Sequence, residues 1–125
     1  MLGKAILVTY YADPPFFTRA SVNEEYCRFF GVRPELVLGR SCLETSPETF
    51  REKVREKIEQ CIQTDSVLES VETVIKPDGT CSILRWLETP IKDKTGKIVK
   101  MVAVGWPIPD RRKNEDRRQP MQKGA

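Results

Sequence analysis

Residues 67–108 read VLESVETVIKPDGTCSILRWLETPIKDKTGKIVKMVAVGWPI, which is three extended runs separated by two polar turns. Between the first two runs lies Asp78-Gly79, a pair typical of a tight hairpin because glycine reaches positive φ without steric cost. The most apolar run is the third, which favours a central strand covered on both faces. We therefore predict an antiparallel meander of three strands, over 67–75, 81–91 and 98–106.

The first half of the chain supplies two further short strands and two short helices. Extended backbone is predicted over 5–11 and again over 16–22, and the two runs can pair as a hairpin. Asn23 has the side chain of a helix N-cap, and Gly31 fits the left-handed position that ends a helix. A second helix of one to two turns is predicted over 33–39, with a proline near its start and a glycine at its end.

The longest helix is predicted to begin at Ser46-Pro47, with the serine as cap and the proline at the first helical position. A sheet with one apolar face must cover that face, and this helix has an apolar stripe suited to it. The fold class is therefore α+β, with one antiparallel sheet and helices on one face. The stripe is formed by Phe50, Val54, Ile58, Cys61 and Ile62.

Length and composition indicate one ordinary globular domain. The chain has 125 residues, 39% hydrophobic and 31% charged, which is enough for a single core. No apolar run approaches the roughly 20 residues that a membrane-spanning helix needs. We expect no membrane span and a cytoplasmic location.

The net charge of +3 is concentrated at the C-terminal end. Residues 111–125 hold six basic and two acidic side chains, so the rest of the chain is close to neutral. A nucleic-acid-binding face usually needs a basic bias, so we expect no direct nucleic-acid binding by the folded body. The polar basic segment over 113–125 is predicted to be a disordered tail.

Cysteine and histidine usage excludes several kinds of site. Cys27, Cys42, Cys61 and Cys81 are too widely spaced for the close pairs of a zinc or iron–sulfur site, so no metal site is predicted. The chain contains no histidine, which excludes Ser-His and Cys-His catalysis and a histidine-ligated haem. No acidic residue is paired with a nucleophile, and we expect that the protein is not an enzyme.

Four segments in register resemble the PAS domain, a sensory module of bacterial and archaeal signalling proteins. Each segment is a weak signal by itself, but their common order makes the resemblance specific. The resemblance runs from about Ile6 to Arg112. The segments are NEEYCRFFG at 23–31, PELVLGRS at 34–41, KPDGT at 76–80 and TPIKDKTGK at 89–97.

The resemblance implies a fold and a general role. It implies a five-stranded antiparallel sheet in the order 2-1-5-4-3, with short helices and one long helix on one face, over a domain at 1–112. It also implies a pocket between sheet and long helix that holds a small-molecule ligand of unknown identity. Such domains commonly form homodimers and relay a signal to an output domain or a partner signalling protein.

The candidate pocket lies where the long helix faces the sheet. Its expected lining combines aromatic residues of the first helix with apolar residues of the long helix and the strands. The same side chains could instead simply fill a core. The candidates are Tyr26, Phe29, Phe30, Val54, Ile58, Cys61, Trp86, Met101 and Ala103.

The chain departs from the family in two respects. At the positions of the segment that couples sheet to output helix it has Pro107-Ile108-Pro109, whose prolines cannot donate backbone hydrogen bonds. The flavin-binding branch carries its reactive cysteine on the long helix, whereas Cys27 falls on the first short helix. A cysteine-adduct flavin is therefore not expected.

Two alternatives to a ligand sensor are open at this point. The domain could be a ligand-free interaction module that dimerises through the outer face of the sheet or the N-terminal segment. A redox or metal sensor built on the four cysteines is the least favoured, because their spacing does not match a close-pair arrangement.

Overall fold

A computed structural model describes residues 4–108. The tail predicted over 113–125, and Pro109 of the departing segment, lie outside the described residues. The elements in chain order are β1 (Ile6–Tyr11), β2 (Arg19–Val22), α1 (Glu24–Phe30), α2 (Pro34–Val37), a 3₁₀ helix (Cys42–Thr45), α3 (Glu48–Thr64), β3 (Leu68–Ile75), β4 (Cys81–Lys92) and β5 (Ile98–Ile108).

The five strands form one antiparallel sheet in the order β2-β1-β5-β4-β3. The predicted fold class and strand order are therefore confirmed. β5 takes the predicted central position between β1 and β4, and its buried residues alternate, because only its inner face is covered by the core. The meander of β3, β4 and β5 and the hairpin of β1 with β2 are both present as predicted.

The β3–β4 turn has the geometry predicted for Asp78-Gly79. Gly79 has φ of 88°, in the left-handed region that disfavours side chains. Asp78 Oδ1 accepts from Thr80 N at 2.9 Å, which closes the turn. The strands on either side then pair in register from Ile75 opposite Cys81.

Asn23 caps α1 as predicted and also ties this helix to β1. Its Oδ1 accepts from Tyr26 N at 2.9 Å and from Leu7 N at 3.0 Å, and its Nδ2 donates to Ala5 O at 2.9 Å. Gly31 ends the helix with φ of 68°. One polar side chain thus fixes the position of α1 over the sheet.

The start of α3 differs from the prediction. The helix begins at Glu48 with Pro47 at the N-cap, and Ser46 instead ends the 3₁₀ helix, where its N–H donates to Leu43 O at 3.0 Å. Ser46 is buried and its carbonyl accepts from Arg51 Nε at 2.9 Å. The predicted serine cap is therefore wrong.

Phe50 was predicted on the apolar stripe of α3, and this is also wrong, since 47% of it is exposed. The first turn of α3 faces the 3₁₀ helix through Arg51, which donates to Ser46 O and Glu44 O. That orientation leaves Phe50 facing solvent. The stripe that covers the sheet begins one turn later, at Val54.

The core lies between the inner face of the sheet and the helices. Alternation along β1, β4 and β5 places one set of side chains inside, as the pleat requires. Among the described residues no helix is both long and apolar enough to cross a membrane. The buried inner-face residues are Ile6, Val8, Tyr10, Leu84, Met101 and Ala103, covered by Tyr26, Phe30, Ile58 and Cys61.

Candidate functional site

A cavity of about 60 Å³ lies between α3 and the inner face of the sheet; we call it the inner cavity. Its floor is one row of cross-strand partners, in which Val8 lies opposite Ala103, Ala103 opposite Glu88, and Glu88 opposite Leu68. This row runs over four strands, so the cavity lies at the centre of the fold. Its helical wall comes from Tyr26, Val54, Lys57 and Ile58.

Trp86 forms part of the wall, and a glycine fixes its position. Gly105 of β5 lies directly opposite Trp86 of β4. A Cβ atom on Gly105 would lie 2.7 Å from Trp86 Cζ3, closer than atoms can approach. The indole therefore lies against the bare backbone of Gly105.

The chain after α2 pairs with β2, which places the guanidinium of Arg19 among carbonyl groups. Arg19 N donates to Arg40 O at 2.8 Å, and Gly39 N donates to Arg19 O at 2.9 Å. An isolated bridge joins Thr18 to Ser41. This pairing covers the edge strand and lays residues 39–41 along it.

Arg19 is 2% exposed and lines the inner cavity. Its Nη1 donates to Val37 O at 2.8 Å and to Glu44 Oε1 at 2.7 Å, and its Nη2 donates to Ser41 O at 3.2 Å. Its Cζ lies 5.6 Å from the centroid of the Tyr26 ring. Arg19 Nε is buried and has no hydrogen-bond partner among residues 4–108.

Glu88 is the second buried charged residue on the cavity wall, at 8% exposure. Burial raises the pKa of its carboxyl, a hydrogen bond from the Tyr10 hydroxyl lowers it, and the charge of Glu72 raises it; together they bring it to about 7. Burial and the neighbouring Glu88 also raise the pKa of Tyr10. Near neutral pH, Glu88 can therefore either donate or accept a hydrogen bond.

Polar groups also line the solvent side of the inner cavity. Lys57 Nζ of α3 forms an ion pair with Glu72 Oε1 of β3 at 2.9 Å.

Two buried groups of the cavity wall have raised pKa values. Cys42 lines the wall, and burial raises the pKa of its thiol. Burial likewise raises the pKa of Tyr26 to about 12. Both groups stay protonated near neutral pH, so the Cys42 thiol is a poor nucleophile.

Five of the nine predicted pocket residues border the inner cavity, and the structure brings them together from α1, α3, β4 and β5. Whether they contact a ligand stays a prediction. They are Tyr26, Val54, Ile58, Trp86 and Ala103.

The other four lie in the surrounding core. Phe29 and Phe30 pack edge to face with ring centroids 5.0 Å apart. The Cys61 thiol is turned toward Ser66 O, to which it donates a hydrogen bond. Met101 is fully buried on the inner face, but it does not line the inner cavity.

Sequence reasoning missed the polar residues of the inner cavity. Alternation along β4 placed Glu88 on the same face as Leu84 and Trp86, and a carboxyl on an apolar face is the signal that could have identified it. Glu72 also lines the cavity, although an acidic residue in a strand is typical of a surface position. Arg19 gave no such signal, because its burial depends on a loop that is distant in sequence.

The inner cavity does not fit a flavin. Pockets for molecules of that size usually measure about 300–1,000 Å³, and this cavity measures about 60 Å³. Cys27, the cysteine considered for an adduct, is on α1 and does not line the cavity. Within residues 4–108, no cluster of three or more cysteine and acidic side chains could hold a metal ion.

Comparisons with known proteins agree with this architecture. A family model described as the PAS fold matches residues 15–113. No curated protein matches the chain. Among solved structures, a light-oxygen-voltage domain studied with a flavin analogue has a TM-score of 0.76 at 15% identity, covering 96% of this chain and 89% of its own.

Two further structures show the same fold. A PAS domain from Colwellia psychrerythraea has a TM-score of 0.76 at 12% identity, covering 83% of this chain and 86% of its own. The blue-light photoreceptor domain Aureochrome1 LOV has a TM-score of 0.71 at 20% identity, covering 96% and 91%. With the family model matching most of the sequence on this fold, the chain belongs to the PAS family of sensory domains.

Proposed function

We propose that this PAS domain is a sensor that binds a small polar molecule in the inner cavity and relays its presence to an output domain or partner signalling protein. The observation that carries the proposal is that Arg19, which lines the cavity, has a buried donor, Nε, without a partner among residues 4–108. A buried donor left unpaired costs about 1–3 kcal/mol. A molecule with a hydrogen-bond acceptor would remove that cost.

The cavity sets the chemistry of the proposed ligand. A volume of about 60 Å³ favours a molecule of only a few non-hydrogen atoms. Arg19 supplies a charged donor, and Glu88 supplies a carboxyl that can donate or accept near neutral pH. A small carboxylic acid or amide has the acceptor and donor groups that these two residues need. Ordered water is the competing occupant, and the experiment must separate the two.

Native mass spectrometry of the full chain tests this proposal. We expect the wild type to retain a small molecule that Ala103→Val loses, because two added methyl groups would occupy the cavity. The matched control is Val102→Ile, which adds a methylene on the neighbouring residue, on the opposite face of β5. A wild type without bound mass, with both variants also at the masses of their bare chains, would leave water as the occupant and contradict the sensor.

A second candidate function, ligand-free dimerisation, is favoured by the outer face of the sheet. Leu7 lies opposite Val104, and Val104 opposite Leu87, so apolar side chains form a continuous row. Val71 of β3 is 53% exposed beside this row. Apolar surface of this kind is typical of an interface with a second copy or an output element.

Sedimentation equilibrium measures whether the chain dimerises through the outer face of the sheet. A dimer held by the outer face should dissociate in Val104→Lys, because a charge would be buried at its centre. Thr95→Lys, which adds the same charge on the remote β4–β5 turn, should leave it intact. A cytoplasmic location and the absence of enzymatic activity remain part of the proposal.

A further inference from the structure

A second opening, larger than the inner cavity, lies at the β3 edge of the sheet. It measures about 480 Å³ and is bounded by α1, α2, the 3₁₀ helix and the end of β3; we call it the edge cleft. That volume is within the range of about 300–1,000 Å³ usual for small-molecule sites. Tyr26 and Thr45 separate the edge cleft from the inner cavity, since both residues line both spaces.

The floor of the edge cleft is apolar. Phe30 and Val37 are buried beneath it, and Ile75 contributes from the end of β3. Leu36 of α2 also lines the cleft and is 62% exposed. An occupant that covers this side chain and the apolar floor is favoured in proportion to the apolar area that it removes from water.

The rim of the edge cleft is positively charged. It carries Arg40, Arg51 and Lys76, with Glu44 as its one acidic residue. Glu44 is already engaged, since its carboxylate accepts from Arg19 Nη1 and from Arg40 Nε, each at 2.7 Å.

Two of these cations have no acidic partner. Arg51 donates to the carbonyls of Ser46 and Glu44, which are neutral. Lys76 Nζ lies 4.3 Å from the centroid of the Phe29 ring. Within residues 4–108, neither Arg51 nor Lys76 forms a salt bridge.

We propose that the edge cleft is a second small-molecule site, selective for amphipathic monoanions. The carboxylate of such a molecule binds Arg51 and Lys76, and its aromatic or branched apolar body covers Phe30, Leu36 and Ile75. An apolar floor with unpaired cations on its rim is complementary to a ligand with both parts. This site does not depend on the inner cavity being occupied.

The probe is 4-phenylbutyrate, titrated into the ¹⁵N-labelled full chain at low ionic strength and followed by amide chemical shifts. We expect saturable shifts at Leu36, Arg51 and Lys76 and around the β3–β4 turn. The neutral analogue 4-phenylbutan-1-ol should bind roughly threefold or more weakly, because the charge-assisted contacts are lost. Added salt should weaken the binding of phenylbutyrate and leave the binding of the alcohol unchanged.

Single substitutions test the contribution of each cation to binding. Lys76→Gln and Arg51→Gln should each weaken the binding of phenylbutyrate about threefold, the effect expected of one ionic contact at the protein surface. The matched control is Lys94→Gln, which removes the same charge on the β4–β5 turn and should change nothing. Ala103→Val should also leave binding unchanged, which separates this site from the inner cavity.

Four outcomes would overturn the proposal. They are equal binding of acid and alcohol, saturating shifts on the outer face of the sheet, no saturable shift up to the solubility limit of phenylbutyrate, and shifts at the cleft that follow protein concentration without the probe. The last would assign the edge cleft to a second copy of the chain.

Discussion

The inner cavity and the edge cleft share a wall at Tyr26 and Thr45, but they differ in how deeply their charged residues are buried. In the inner cavity, Arg19 and Glu88 are almost fully buried and depend on specific partners. In the edge cleft, Arg40 and Arg51 are exposed to water. Substitutions of the charged residues of the inner cavity should therefore destabilise the fold, whereas substitutions of those of the edge cleft should not.

This difference predicts which measurement each region affects. A buried polar group that loses its partner destabilises the whole domain, because water cannot replace the partner. An exposed cation keeps its hydration when a neighbour is removed, so its substitution changes binding and hardly changes folding. Variants in the inner cavity should therefore alter the free energy of unfolding, and variants in the edge cleft should alter only the affinity for anions.

Arg19→Met should have the largest effect. It removes the donors to Val37 O and Ser41 O and one partner of Glu44, and we expect a loss of roughly 3 kcal/mol in the free energy of unfolding. The matched control is Arg40→Met, because Arg40 binds the same carboxylate from an exposed position and should cost less than about 1 kcal/mol. Urea unfolding measures both, and equal losses would show that burial is not decisive.

Glu88→Gln should produce a pH-dependent gain in stability. The pKa of the carboxyl rises from 4.5 to about 7 on folding. Between these values the unfolded chain loses its proton first, so the stability of the wild type falls as pH rises and levels off above about pH 7. Glutamine does not titrate, so the advantage of the variant should grow across this window to roughly 3 kcal/mol.

The control for this pH profile is Glu69→Gln, which removes an exposed carboxyl on the outer face of β3. This variant keeps Glu88, so its stability should fall with rising pH as that of the wild type does. All other charged and titratable groups that line the inner cavity are retained in both variants, namely Tyr10, Arg19, Tyr26, Cys42, Lys57 and Glu72. A flat profile for Glu88→Gln would contradict a buried carboxyl.

Gly105→Ala should destabilise by about 1–3 kcal/mol, the usual effect of overpacking. The new methyl group would clash with the Trp86 indole, which must then move from its place in the cavity wall. A reduced Trp86 contribution to the near-ultraviolet circular dichroism, which also contains that of Trp106, would accompany the lower melting temperature. An unchanged signal with full stability would mean that the indole does not lie against Gly105.

Lys76→Gln should have the smallest effect on folding. Its ammonium group lies over the Phe29 ring and forms no salt bridge within residues 4–108, so we expect a change within about 0.5 kcal/mol. Thermal unfolding in parallel with Arg19→Met checks this. A loss as large as that of Arg19→Met would remove the distinction between the two regions.

The sequence predicted the sheet well because its signals are local. Asp78-Gly79 sets the hairpin, alternation sets the faces of β4, and Asn23 caps α1 through a side chain three residues from its partner. The start of α3 was missed for the opposite reason. Ser46 ends the 3₁₀ helix, and Arg51 binds carbonyls of that segment and leaves Phe50 in solvent, which helical periodicity does not predict.

The candidate site was predicted only for its apolar part. Tyr26, Val54 and Ala103 follow from helical and strand periodicity, and they do border the inner cavity. Arg19 is buried because residues 39–41 pair with β2, a contact that no local pattern specifies. The edge cleft likewise requires α2 and the end of β3 to meet, which depends on the tertiary fold.

The proposed ligand of the inner cavity gives the most direct test. The molecule released by denaturing the purified wild type is identified and titrated calorimetrically into refolded protein. We predict one binding site per chain, at least tenfold weaker binding to Ala103→Val, and unchanged binding to Lys76→Gln. Equal binding to wild type and Ala103→Val, or a denatured extract that contains no small molecule, would contradict the account.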